Sequence, residues 1–469
     1  MTTDYALGFE SVDREFADRE LPVDGSVPSW LTGSLFRNGP AKFEVGDESV
    51  AHWFDGLAML TRFAFDDGGG RYSNRFLRSE EYAAVTEAGR MSGSQFGTNR
   101  SGLLGAIRDL VVPKQTDNAN VNVLRLGDRF VAITETPVGI EFDPSTLETV
   151  GQYRFDDLHG QMMTAHPHVD PHRRETVTMT TEFGRTSHYR FYRRSHDRTR
   201  FEPIGAVETP RPAYVHSFGL TANHVVLVEF PFDVTPLKLL LPGSDAFIER
   251  YEWRPETGTR FVVLDRESGT VVADRTHEAF FAFHHVNAFE AADGSVAVDI
   301  AAFDRPDVID RLYLEDLRTG PLPEIPGELR RYRIATGSQG VDRDSLYTRG
   351  VTLPRIAPHR NTRPYRYVYA QGTPDPEDDL PQRLVKIDTR ARSAVAWSEP
   401  DTYCGEPVFV PAPDRSDEDT GVVLSLVLEP ALERSALLVL DGETFEERAR
   451  LPLPHVVPFD FHGQFFPDP

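Results

Sequence analysis

Cysteine is almost missing from this sequence: Cys404 stands alone among 469 residues. A single thiol cannot build an intrachain disulfide framework, a thiolate zinc cluster or an iron–sulfur site. Any metal the chain holds must be bound by histidine and carboxylate. Lysine is scarce as well. Of the 50 basic residues only Lys42, Lys114, Lys238 and Lys386 are lysines, and 73 acidic residues leave a formal charge of -23. Such a surface repels phosphate backbones, so nucleic acid is not an expected partner. An acidic, lysine-poor chain suits a high-salt medium, where screening over a few ångströms weakens self-repulsion, and a halophilic source is expected. No run reaches the roughly 18 apolar residues of a membrane span. The first residues, MTTDYALGFESVDREF, lack a basic segment followed by an apolar one. No signal peptide is read there, and a cytoplasmic location is expected.

What is present is apolar enough to fold. Hydrophobic residues make up 39% and aromatics 11%, with 31 Phe, which excludes wholesale disorder. Length alone suggests three ordinary domains or one large closed all-β architecture. Short alternating or β-branched runs decide between them: RFVAITETP, ETVTMTTEFG, NHVVLVEF, GSVAVDIAAF, YRYVYAQG and GVVLSLVL. They recur without intervening helix patterns, so the fold class is all-β, as a barrel, sandwich or propeller. GTRFVVLDRESGTVV and QRLVKIDTRARSAVAW each pair two strands through a polar turn, the hairpin of a propeller blade. No WD or kelch signature recurs, so such a propeller is sequence-divergent. RSEEYAAVTEAGRM predicts one helix, read as a surface decoration. PDPEDD and APDRSDEDTG read as exposed acidic loops rather than domain boundaries.

Two segments break the polar surface pattern. Residues 101–113 (SGLLGAIRDLVVP) and 230–247 (FPFDVTPLKLLLPGSDAF) hold Leu and Val clusters between Gly and Pro. They are either ordinary core or an apolar patch that meets a membrane or an oily ligand.

Four histidines share an apolar setting at the edges of predicted strands: His166 in TAHPHVD, His216 in YVHSFGLT, His284 in FHHVNAFE and His462 in DFHGQF. Imidazole is a common ligand of Fe, Cu and Zn when its binding nitrogen is unprotonated. Their wide separation excludes a local motif such as HExxH. They could converge only where distant strands meet on one axis, as in a propeller. Taken singly, each reads as a core or capping imidazole.

The wording around them adds a resemblance. GSLFRNGP, HWFDGLAML, TAHPHVD, HSFGLT, FHHVNAFE, EPVFVP and FHGQF, in that order, resemble the carotenoid cleavage oxygenase family. The stretch from Trp397 to Phe465 looks like its animal branch, which includes the retinoid isomerase of the visual cycle. The resemblance implies one seven-bladed β-propeller domain over 1–469, with a loop and helix dome above an axial metal site. It implies one Fe(II) per chain, held by His166, His216, His284 and His462, with His168 and His285 structural. Outer-sphere carboxylates are expected at Glu135 in ITETP and Glu406 in GEPVFV. A third is expected where VTLPRI has Thr352, which leaves one ligand with a weaker acceptor or another one. Val121 matches a small side chain set against one iron position, leaving one position open for O2. Glu290, Arg37, Asp55 and Gly56 are read as structural.

The implied activity is Fe(II)-dependent cleavage of a conjugated C=C bond of a carotenoid or apocarotenoid by O2, giving two carbonyl products. The alternatives are a stilbene-type dioxygenase, a retinoid isomerase and, outside enzymes, a metal-free propeller that binds lipid or protein. A polyene substrate gives segments 101–113 and 230–247 a use as a peripheral membrane contact.

Overall fold

The alternating runs form strands, and each strand finds its partner a few residues along the chain. The computed structural model describes residues 4–91, 95–98, 116–240, 245–322, 327–335, 337, 340–373 and 380–467. Among these, seven antiparallel sheets of four to six strands follow one another along the sequence, a seven-bladed β-propeller. The two hairpins read from sequence are present: Thr259–Asp265 pairs with Val271–His277, and Arg383–Asp388 with Ser393–Ser398. Strands in the middle of blades, such as Val296–Phe303 and Gly421–Glu429, are buried along their whole length because a neighbouring blade covers each face. The core therefore lies between blades. Val177, Phe191, Val225 and Leu264 fill one such seam, and Leu35, Phe63, Leu424 and Val439 fill another.

Both ends of the chain close the ring. The strand His462–Pro467 becomes the fifth strand of the first blade, pairing with Gly33–Lys42 so that His462 faces Asn38. At the other end Asp24–Gly25 adds to the outer edge of the last blade.

The predicted helix spans Glu80–Ala88, started by the Ser79 hydroxyl on Tyr82 N and stopped by Gly89 in the left-handed region (φ 62°). Only Val85 in it is buried, so it lies on the surface as expected. Val85 packs with Phe43, Leu314 and Leu317 in a cluster formed largely by inter-strand connections. Over the axis these connections contribute the rings of Trp53, Phe54 and Phe96. Phe54 lies 5.1 Å from Phe461 and 6.1 Å from Phe283, centroid to centroid. Phe283 and Phe461 each precede one of the four histidines, so the dome sits on the histidine side of the propeller.

Candidate metal centre

The propeller brings His166, His216, His284 and His462 together, from the third, fourth, fifth and first blades. His284 lies inside strand Phe281–Glu290 and His462 starts its strand; His166 and His216 lie just before the innermost residues of theirs. One nitrogen of each falls within 4.8 Å of the others. His166 Nε2 is 2.8 Å from His216 Nε2, and His284 Nε2 is 3.3 Å from His462 Nε2.

Carboxylates fix two of the tautomers. Glu135 Oε1 lies 2.7 Å from His216 Nδ1 and Glu406 Oε1 lies 2.8 Å from His462 Nδ1. Each carboxylate accepts a hydrogen bond from Nδ1–H, so both Nε2 atoms present lone pairs to the axis. Burial, reinforced by the neighbouring imidazoles, holds His166 and His284 well below the ordinary histidine pKa. Burial also lowers His462, although Glu406 opposes it. Imidazole nitrogens converging this closely, with no carboxylate among them, suit a divalent metal of intermediate softness such as Fe(II). The residues present fit that ion.

The carboxylates are themselves held. The Tyr214 hydroxyl donates to Glu135 at 2.9 Å. Glu406 Oε2 accepts from Arg37 Nη1 at 2.7 Å and Gly463 N at 3.0 Å, and its Oε1 also accepts from Arg355 Nη1 at 3.2 Å. Burial works to raise the Glu406 pKa, but Arg355, His462 and Arg37 outweigh it and keep the group at about 2. The glycine of FHGQF is required here: a Cβ on Gly463 would come within 2.5 Å of Arg37 Cδ and Phe36 O.

Among the described residues no carboxylate reaches the ring of His166 or His284. Thr352, on strand Thr352–Arg355, pairs with Gln371 and makes no hydrogen bond to any of the four imidazoles. Val121 opens the inner strand of the second blade, its N–H bonded to Ile133 O. His168 and His285 point elsewhere: His168 Nε2 bonds Phe218 O at 2.8 Å, and His285 Nδ1 bonds Ser217 Oγ at 2.8 Å. Glu290 holds His224 Nδ1 at 3.1 Å and Asn223 N at 3.0 Å, away from the cluster. Asp55 accepts from Phe96 N, Gly97 N and Thr98 Oγ1, fixing the segment that carries Phe96.

Residues 9–467 match the family model described as RPE65, retinal pigment epithelial membrane protein. The chain belongs to this family. It is 34% identical to carotenoid cleavage dioxygenase 8 homolog A of Oryza sativa subsp. japonica, over 99% of this chain and 88% of that protein. It is 31% identical to the beta,beta-carotene 15,15'-dioxygenase of Gallus gallus, over 95% of each. Cobalt-substituted Synechocystis apocarotenoid oxygenase superposes with a TM-score of 0.90 at 28% identity, covering 99% of this chain and 98% of that one.

Several residues that build the site are given no part in it by the sequence, although most lie within the stretches quoted above. Tyr214 is one, and Arg355 is another. The rest form a ring of buried polar side chains that joins neighbouring inner strands. Asn38 donates to Ala119 O and Asn122 O, and Asn122 to Ala165 O. Thr164 donates to His216 O, Ser217 to Phe283 O, and Asn287 to Arg360 O and Arg363 O. Gln371 reaches Cys404 O, and Arg37 to Glu406 closes the circle. The only signal was the density of Asn in RNGP and DNANVN, polar side chains in runs that otherwise read as core.

Proposed function

We propose that the chain cleaves one conjugated C=C bond of a carotenoid or apocarotenoid with O2. The observation that carries this reading is the convergence of the Nε2 atoms of four imidazoles under an aromatic roof. His166, His216, His284 and His462 would hold one Fe(II) per chain, with Glu135 and Glu406 orienting His216 and His462. Fe(II) held by these four imidazoles would supply O2 binding and activation. One C=C bond and one O2 are consumed and two carbonyl groups are formed, so no external reductant or proton is needed. The chain's own groups position the polyene. Phe283 lies 5.5 Å from His216, and Phe54, Phe96 and Phe461 continue the wall, a surface that excludes water and aligns an extended apolar chain. Val121 would be the small side chain beside the metal, and Thr352 would stand behind His284 without ordering it.

Carotenoids reside in lipid, so entry from a membrane fits the reading. Of the two apolar segments, 101–113 lies outside the described residues. In the other, Phe230 and Phe232 belong to the core, whereas Leu237 on the short helix Pro236–Leu240 is 64% exposed. No helix among the described residues is long and apolar enough to cross a membrane.

The test is to load the protein with iron, measure the metal ratio and identify products from carotenoids, apocarotenoids, retinyl esters and stilbenes by mass. Paired carbonyl products from a polyene are expected. His216→Ala should lose both iron and turnover, whereas His285→Gln should keep the metal. Full iron and turnover in the His216 variant would refute the four-histidine site.

A further inference from the structure

The two carboxylates behind the imidazoles are not equivalent. Glu135 accepts from His216 and from the neutral Tyr214 hydroxyl. Glu406 faces two guanidinium groups, and they differ. Arg37 is shared with Asp460, which accepts from both its Nε and an Nη. Arg355 meets no carboxylate other than Glu406 among the described residues; its second nitrogen goes to the neutral Gln464 Oε1 at 3.0 Å. Moreover, Arg355 Nη1 bonds Oε1, the same oxygen that receives His462 Nδ1.

The backbone places it there on purpose. Within Thr352–Arg355 the pairing slips: Thr352 faces Gln371 and Arg355 faces Tyr369, three residues against two. Partners two apart share a face of a strand, so the slip puts Arg355 on the same side as Thr352, where a regular strand would turn it away. Leu353 absorbs the extra residue at φ 45°, a left-handed conformation uncommon for anything but glycine. A strained residue is thus kept in order to aim one cation at the carboxylate of one imidazole.

A carboxylate that accepts from an imidazole N–H makes that imidazole a stronger donor to a metal. A cation on the same oxygen draws the negative charge away and weakens the effect. We infer that Arg355 is a positioning residue that lowers electron donation through Glu406 and His462, and so biases the centre toward divalent rather than trivalent iron. Thr352 acts in the same direction, since it leaves His284 without a carboxylate. The inference rests on the iron reading above but concerns the resting metal, with no substrate present.

The experiment compares iron-loaded wild type, Arg355→Gln, Arg355→Lys and Gln464→Glu for iron content and for the Fe(III)/Fe(II) midpoint potential. Arg355→Gln removes the charge and should favour the trivalent form about tenfold, a fall of about 59 mV for one electron. Arg355→Lys keeps the charge and should restore the wild-type potential, which a purely structural role for the guanidinium would not predict. Gln464→Glu gives Arg355 a second carboxylate and should lower the potential even if Arg355→Gln does not fold. Equal potentials in wild type, Arg355→Gln and Gln464→Glu would overturn the inference, as would a rise in either variant. Failure of the wild type itself to take up iron would instead refute the metal reading.

Discussion

At the scale of single residues, what matters is who holds each imidazole. His216 and His462 have carboxylates, whereas His284 has Thr352 on the neighbouring blade and no acceptor from it. Thr352→Glu should supply one. Outer-sphere acceptors typically change metal affinity about 10 to 100-fold, so iron should resist a competing chelator at least about tenfold longer. Faster loss would mean that the surroundings of Thr352 are packed around a small side chain. Glu290 shows the opposite case, a carboxylate near His284 in sequence that serves the fold. Burial would raise its pKa, but His224, Thr221 and Asn223 N hold it at about 2. Its folded pKa lies below the unfolded value of 4.5, so its stabilisation is complete above about pH 4.5 and disappears as pH falls toward about 2. Glu290→Gln should therefore cost roughly 2 kcal/mol at pH 7 and little near pH 2.5, with iron content unchanged. An equal loss at both pH values, read by denaturant unfolding, would show that the ionised form contributes nothing. Glu290 ties down the turn around Asn223 and His224, a contact that no local pattern in the sequence announces.

Elements were legible where their pattern is local and illegible where it is shared between blades. Hairpins such as Thr259–Asp265 with Val271–His277 need only alternation and a polar turn. The turns themselves hide a repeat. Asp143, Asp265, Asp388 and Asp441 each accept from backbone N–H groups two and three residues on. Each is followed, at the fourth residue, by a left-handed residue: Leu147, Gly269, Arg392 and Phe445. Only one of those is glycine, which is why no sequence signature recurs although the geometry does. The polar ring from Asn38 to Arg37 escapes for another reason: each member bonds the next blade, through a backbone carbonyl or, for Arg37, the Glu406 carboxylate, so no spacing along the chain records it. The short helix Pro236–Leu240 tests the membrane reading. Leu239 packs against the aromatic core and Leu237 does not. Leu237→Glu should thus release the protein from anionic vesicles in co-sedimentation, with its melting temperature unchanged within about 1 °C, as for surface changes generally. Undiminished sedimentation would remove Leu237 from any docking surface.

For the whole molecule, the four histidines meet because TAHPHVD, HSFGLT, FHHVNAFE and FHGQF lie at the innermost strands of their blades, which the ring places side by side, whereas GSLFRNGP and HWFDGLAML lie farther out in the first blade. Ring closure was not legible: pairing Asn38 with His462 joins residues from opposite ends, and nothing local requires it. That closure also concentrates charge. A propeller buries the seams between blades and leaves acidic loops and outer strands exposed, with a formal charge of -23. Salt acts on three populations of charge in different ways. Buried pairs, such as Arg266 with Asp170 and Glu175, Arg331 with Asp299, and Arg37 with Glu406, are scarcely screened. Exposed pairs such as Arg71–Asp18 and Arg305–Asp307 are already weakened by the surrounding water, so their loss to screening is small. What remains is repulsion among the excess carboxylates, whose reach shrinks from about 10 Å at 0.1 M salt to about 3 Å at 1 M. Relief of that repulsion should dominate. The melting temperature should therefore rise by at least about 2 °C between about 0.1 M and 1 M KCl, corresponding to roughly 1 kcal/mol or more. Sucrose added at low ionic strength serves as the control, because it favours compact states without screening charge. A melting temperature that stays flat or falls with KCl would mean that exposed ion pairs, and not the surplus of acid, govern the surface of this protein.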